Sequence, residues 1–196
     1  MAYLSPAEFV TKMVDTGEAK IHMSTRDTLI RAFMAGAILA LAAVFAVSAS
    51  VMSGSALIGA LLFPVGVCML YLLGFDLLTG VFMLTPLALL DKRPGVTVRG
   101  ILRNWGLVFV GNFLGALTVA GMMAFIFTYG FSVPPGEIGQ KIGHIGEART
   151  LGYAEYGLMG WATIFIRAML CNWMVSTGVV CALPSTPDSR QTIAMW

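Results

Sequence analysis

The stretch Gly74-Phe75-Asp76-Leu77-Leu78-Thr79-Gly80 decides how this chain folds. It lies inside the run from Ser55 to Leu90, in which Asp76 is the single charged residue. A continuous helix over these 36 residues would extend about 54 Å, whereas the hydrocarbon core of a bilayer is about 30 Å thick. The run must therefore be shortened, and the glycines at both ends of the stretch predict a non-helical break at 74–80.

The composition indicates a membrane protein. Of the 196 residues, 58% are hydrophobic and 11% are charged, whereas a soluble domain has about 25% charged residues. Apolar runs long enough to cross a bilayer lie at 29–52, 105–131 and 157–183, and another begins at 191–196. The predicted fold is an all-α membrane protein with its transmembrane domain over 28–196. A net charge of +2 gives no reason to expect nucleic-acid binding.

Residues 1–27 are predicted to form an amphipathic helix and a lead-in to the first span. Ser5 and Glu8 have the spacing of a capping box, and Gly17 is expected to end the helix. The apolar face of this helix suits either the membrane surface or the rest of the protein, and the pattern does not decide between them. Residues 132–155 are predicted to be a polar loop between the third and fourth spans.

Basic residues predict the orientation of the chain. The 91–104 segment contains Lys92, Arg93, Arg99 and Arg103 against one acid, and the connection between the first two spans has no basic residue. The positive-inside rule then places the amino terminus and the 91–104 segment in the cytoplasm of a multi-pass protein in the cell (inner) membrane.

A break within a span points to transport, because non-helical backbone at membrane depth is tolerated only against protein or a water-filled cavity. The competing interpretation is a kinked structural helix whose second half is capped by Asp76. Asp76 and Arg167 are the only ionisable residues deep in the predicted spans. They are expected to be structural charges, paired with each other or with other groups. Lys20, just before the first span, could attract anions to a cytoplasmic vestibule.

Catalytic and metal sites are not predicted. The motifs of zinc proteases, serine hydrolases, nucleotide-binding loops and dinucleotide-binding folds are all missing from the sequence. The cysteines Cys68, Cys171 and Cys181 lie far apart in apolar runs and suggest neither a metal cluster nor a disulfide framework. The sequence therefore predicts no enzyme, no cofactor and no metal.

Four stretches together resemble the formate/nitrite transporter family. They are Thr16-Gly17-Glu18-Ala19-Lys20 followed by Gly36; the Gly74 to Gly80 stretch; Asn104-Trp105 with Gly111 to Ala116; and Leu170-Cys171-Asn172-Trp173-Met174-Val175. The resemblance covers essentially the whole chain. It implies an aquaporin-like helical bundle of six spans, with the second and fifth broken, that assembles as a homopentamer with one pore in each protomer.

The resemblance also implies a transport path through each protomer. By position, that path would be lined by Phe63, Val67, Leu77, Leu78, Thr79, Asn172 and Val175. Phe63 and Val67 would form a cytoplasmic constriction, and Leu77 to Thr79 a mobile loop in which Thr79 hydrogen-bonds the anion or a histidine of the fifth span. Lys20 would lie at the cytoplasmic mouth. The Glu-His-Ser motif of that fifth span is not in this sequence, so the chain is expected to be a truncated member.

The implied function is a membrane channel or transporter for a small monovalent anion. Formate is expected first, with protons as a possible second partner. Nitrite, hydrosulfide and short monocarboxylates remain alternatives within the family, and the residues do not separate them. From another class, a non-conducting membrane scaffold or partner subunit in the lipid bilayer also remains open.

Overall fold

The computed structural model describes residues 4–183, and this part of the chain contains helices and no strands. The helices are α1 (Pro6–His22), α2 (Thr25–Ser53), α3 (Ala56–Leu62), α4 (Pro64–Leu72), α5 (Leu78–Leu90), α6 (Val98–Phe127), α7 (Glu137–Arg149), α8 (Leu151–Ala154) and α9 (Gly157–Ala182). Of these, α2, α6 and α9 are long and apolar enough to cross a membrane. The prediction of an all-α membrane protein is confirmed. The start of a fifth span at 191–196 lies outside the described residues.

Helices α2 and α6 form the frame of the molecule because glycines bring their backbones into contact. A Cβ atom added at Gly36 would lie 2.1 Å from the carbonyl oxygen of Asn112, and one added at Gly115 would lie 2.0 Å from that of Phe33. Neither position can therefore carry a larger side chain without separating the helices. This use of glycine at close helix–helix contacts is common in membranes, where packing rather than hydrophobicity drives association.

The second span is interrupted twice. Pro64, which has no backbone N–H to donate, begins α4 directly after α3. The larger interruption separates α4 from α5 and covers only residues 73–77, where Gly74 has a φ of +70°. It is shorter than the predicted break at 74–80, because Leu78, Thr79 and Gly80 form the first turn of α5. The reason is a side-chain acceptor for the Leu78 N–H, described below, which lets the helix begin early.

Helix α1 packs against α5, and it is longer than predicted. The capping box of Ser5 and Glu8 is present, but Gly17 does not end the helix, which continues to His22. Gly17 instead allows close approach, since an added Cβ would lie 2.1 Å from the carbonyl oxygen of Leu84. The helix also contacts the basic segment after α5, where Arg93 forms ion pairs with Asp15 and Glu18. This amphipathic helix is therefore packed on its own protein.

The segment predicted as a loop at 132–155 is mostly helical, as α7 and α8. Glu137 lies in the first turn of α7 and Arg149 in its last turn, where their charges complement the helix dipole. This helix is hard to predict from the sequence because the segment contains glycines at 139, 143 and 146. Glycine disfavours helices by about 1 kcal/mol relative to alanine.

Candidate functional site: the break in the second span

The break carries a cluster of cations around one carbonyl group. The carbonyl oxygen of Gly74 lies 3.5 Å from the Lys20 ammonium and 3.3 Å from the Arg31 guanidinium, both of which donate to it. Carbonyls at the end of a half-helix lack intrahelical partners and bear partial negative charge. The two cations therefore satisfy the end of α4, and with Asp76 they leave a net positive charge at the break.

Asp76 is buried, only 2% exposed, and its carboxylate forms an ion pair with Lys20. It does not pair with Arg167, which was one of the predicted possibilities. Arg167 instead donates a hydrogen bond of 2.7 Å to the Tyr153 hydroxyl and lies over that ring. A carboxylate at this depth is costly without a partner, so the Lys20–Asp76 pair explains how α1 and the break come together.

Asn112 of α6 binds the turn from the opposite side. Its side-chain oxygen accepts a hydrogen bond of 3.0 Å from the Leu78 N–H. Its side-chain nitrogen donates to the Asp76 carbonyl and to the Ala32 carbonyl of α2, each at 2.8 Å. Leu77, the N-cap residue of α5, supplies no side-chain cap of its own. The Asn112 amide therefore takes the place of a cap at the start of α5.

Two further residues of α6 hold the surroundings of the break. Asn104 is fully buried and donates to the Lys20 carbonyl at 3.0 Å. The Trp105 indole donates to the Thr85 hydroxyl at 2.9 Å and to the Val81 carbonyl at 3.3 Å. Together with Asn112, these contacts make α6 the element that positions both α1 and α5.

A first cavity of about 200 Å³ lies on the α1 side of the break. It brings together five of the residues assigned to the path or its mouth: Lys20, Val67, Leu77, Thr79 and Val175. The Thr79 hydroxyl is buried and has no hydrogen-bond partner among the described residues. A buried hydroxyl without a partner is unfavourable, so Thr79 stands out among the residues that line this cavity.

A second, more open cavity of about 550 Å³ lies on the other side of the turn. Phe63 and Leu78 line it, together with Arg149 of α7. Phe63 and Val67, which were expected to form one constriction, line different cavities. Leu77 lines both cavities. The side chain at the centre of the break therefore stands between two openings.

One predicted path residue lies away from both cavities. Asn172 is exposed on α9, and its amide donates to the Ala168 carbonyl of the same helix at 2.8 Å. Asn112, Arg31 and Arg149 are among the residues here that had no role assigned from the sequence. Asn112 carried a usable signal, since a lone amide in an apolar span is expected to have a partner. Arg149 carried none, because its position depends on the fold of α7.

The chain matches known membrane transport proteins along almost its whole length. A family model described as formate/nitrite transporter matches residues 7–196. The chain is 30% identical to a probable formate transporter of Methanothermobacter thermautotrophicus, with 100% of the chain and 75% of that protein covered. It is 29% identical to the uncharacterised transporter YrhG of Bacillus subtilis, with 100% and 71% covered. It is 30% identical to the formate channel FocA of Haemophilus influenzae, with 90% and 60% covered. With its family model, its apolar spans and its interrupted second span in agreement, the chain belongs to the formate/nitrite transporter family.

Proposed function

We propose that this protein conducts formate across the cell membrane along a path through the break in its second span. The observation that carries the proposal is the position of Leu77, which lines the cavities on both sides of the break. A substrate path needs an opening on each side and a narrow part between them. The amino-terminal side, with α1 and the basic 91–104 segment, faces the cytoplasm in this proposal.

Charge favours an anion as the substrate. The first cavity is lined by Lys20 and Asp76, which form an ion pair with each other, and Arg31 lies at the Gly74 carbonyl behind it. Arg149 lines the second cavity, which has no acidic residue in its lining. The amino-terminal end of α5, where Asn112 accepts from the Leu78 N–H, adds partial positive charge at the turn. An anion is therefore attracted at either side of the break, and a cation is not.

The apolar walls between these charges favour a weak acid. Leu77, Leu78 and Val67 surround the turn, and a bare anion that leaves water for such a surface loses its hydration at large cost. Formate can take up a proton and cross as neutral formic acid. We therefore propose that protons accompany the anion and that the Thr79 hydroxyl hydrogen-bonds it at the turn.

The names of the relatives support formate as the first candidate substrate. One relative is called a probable formate transporter, and two are called formate channels, those of Haemophilus influenzae and Bacillus thuringiensis. Nitrite is the second candidate, because the family description names it beside formate. Assembly as a homopentamer, which the family resemblance implies, belongs to the same proposal. A non-conducting scaffold is the outcome that would replace it.

Uptake into proteoliposomes tests the proposal. We expect the purified protein to take up labelled formate faster than empty liposomes, and faster than nitrite at equal concentration. Leu77→Trp should lower formate uptake about tenfold, since the larger ring fills the space between the cavities. Leu73→Trp is the matched control, because Leu73 is 58% exposed and lines neither cavity.

Two results would overturn this function. Formate uptake equal to that of empty liposomes, with the protein correctly inserted, would favour the scaffold. Equal losses of uptake in Leu77→Trp and Leu73→Trp would show that the path does not pass Leu77. A nitrite uptake rate above the formate uptake rate would leave the proposed path in place and make nitrite the substrate.

A further inference from the structure

We propose that Asn112 is a positioning residue that holds the turn at 76–78 in one conformation and thereby sets which anions can pass. The proposal rests on the proposed function, because it assigns selectivity to the same path. Asn112 also lines the second cavity, but its side-chain amide is engaged by the turn and by α2. It acts through the backbone groups on either side of Leu77, the residue that separates the two cavities.

The Asn112 amide is used almost to its full capacity. A side-chain amide offers two donors and one acceptor oxygen. Here the nitrogen donates to two carbonyls and the oxygen accepts from one N–H. Two of these three partners belong to the turn: the Asp76 carbonyl and the Leu78 N–H. A hydrogen bond on each side of Leu77 restricts rotation of both peptide groups that join Leu77 to the chain.

The amide itself is anchored to the frame rather than to the turn. Its third hydrogen bond goes to the Ala32 carbonyl of α2, and the Asn112 backbone lies directly against Gly36 of that helix. The position of Asn112 is therefore determined by the tight α2–α6 contact. The turn is therefore tied, through Asn112, to the closely packed pair of α2 and α6.

This arrangement predicts what happens when the amide is lost. Leu77 would sample several directions, and the opening that it controls would take several sizes instead of one. The first consequence is a loss of discrimination between small and larger anions, with a smaller change in total flux. A residue needed only for folding would instead lower the amount of folded protein and leave the ratio of rates for two anions unchanged.

The first experiment compares uptake of formate with uptake of the larger monocarboxylate lactate in proteoliposomes. Asn112→Leu keeps the side-chain size and removes all three hydrogen bonds. We expect the formate-to-lactate ratio to fall about fivefold, the order expected for one net hydrogen bond. Thr118→Val is the matched control on α6, because its hydroxyl is exposed and donates only to the Leu114 carbonyl of its own helix. Its ratio should equal that of the unsubstituted protein.

Asn112→Asp provides a rescue that a merely structural role would not give. A carboxylate can accept from the Leu78 N–H but cannot donate to the Asp76 or Ala32 carbonyl, whereas a protonated carboxyl regains one donor. The formate-to-lactate ratio, normalised at each pH to the unsubstituted protein, should therefore rise toward one as the pH is lowered. A ratio in Asn112→Asp that stays at the Asn112→Leu value at every pH would contradict the proposal.

The second experiment needs no transport and separates this proposal from the function beneath it. Cysteine is placed at position 77 in a protein whose native cysteines are replaced, and its rate of reaction with a small charged thiol reagent is measured. We expect the rate to change about fivefold when Asn112→Leu is added and to stay constant with Thr118→Val. Equal rates in all three proteins would show that Asn112 does not hold the turn, whether or not formate is transported.

Discussion

Helix α6 makes two neighbouring contacts by opposite means. It meets α2 backbone to backbone, through Gly36 and Gly115, and it meets the break only through a side chain, that of Asn112. The first contact leaves no space for rearrangement. The second consists of hydrogen bonds that can be broken and remade individually. The glycine contact therefore sets the distance between the two spans, and the amide contact holds the turn at 76–78.

The glycine contact should show the largest effect when it is broken. Gly115→Leu places a side chain where even a Cβ atom would lie 2.0 Å from the Phe33 carbonyl oxygen, so α2 and α6 must separate. We expect the yield of monodisperse protein in detergent, measured by size-exclusion chromatography, to fall about tenfold, since overpacking against backbone costs at least about 1–3 kcal/mol. Gly121→Leu is the matched control, because nothing lies within 4 Å of an added Cβ there. Equal yields of the two variants would show that α2 and α6 can separate without loss of folded protein.

The ion pair beside the break should show the next largest effect. Lys20→Met leaves the Asp76 carboxylate buried without its cation, which typically costs about 3–5 kcal/mol. We expect a clear fall in the thermal unfolding temperature in detergent. Adding Asp76→Leu should recover much of the loss, because the double variant buries no unpaired charge.

Lys12→Met is the control for this prediction. Lys12 also lies on α1 and donates to a carbonyl, that of Leu183, but no ion pair of Lys12 is present among residues 4–183. It should cost only about 1 kcal/mol. If the Lys20 variant lost no more stability than the Lys12 variant, the pair would be a consequence of the fold rather than one of its supports.

The same comparison shows what could be predicted from the sequence. The break was predictable because a physical limit, the thickness of the bilayer, excludes one straight helix over Ser55 to Leu90. The partner of Asp76 was not, because Lys20 reaches it only when α1 continues through Gly17, a residue that usually ends helices. At Gly17, α1 packs closely against the Leu84 carbonyl of another helix. A local sequence pattern does not contain such a contact.

The candidate site was predictable in its centre and less so at its edges. Leu77 and Thr79 lie in the predicted break and received their roles from the family resemblance, and both line a cavity. Phe63 and Val67 are one turn apart in sequence, yet they line different cavities. Arg149 could not be found, because its segment has the glycine content of a loop and folds as a helix.

Thr79→Val should have the smallest effect on stability. It should also separate an effect on transport from an effect on folding most clearly. The Thr79 hydroxyl is buried without a partner among the described residues, so its replacement by a methyl group should be neutral or slightly stabilising. Formate uptake should nevertheless fall several-fold, because the anion loses its hydrogen bond at the turn. Thr85→Val is the reciprocal control: its hydroxyl accepts from Trp105 and donates to the Val81 carbonyl, so stability should fall by about 1–2 kcal/mol while uptake per folded protein is kept. If Thr79→Val lost stability and kept its uptake, the break would be a structural kink, and the transport path would have to be sought elsewhere.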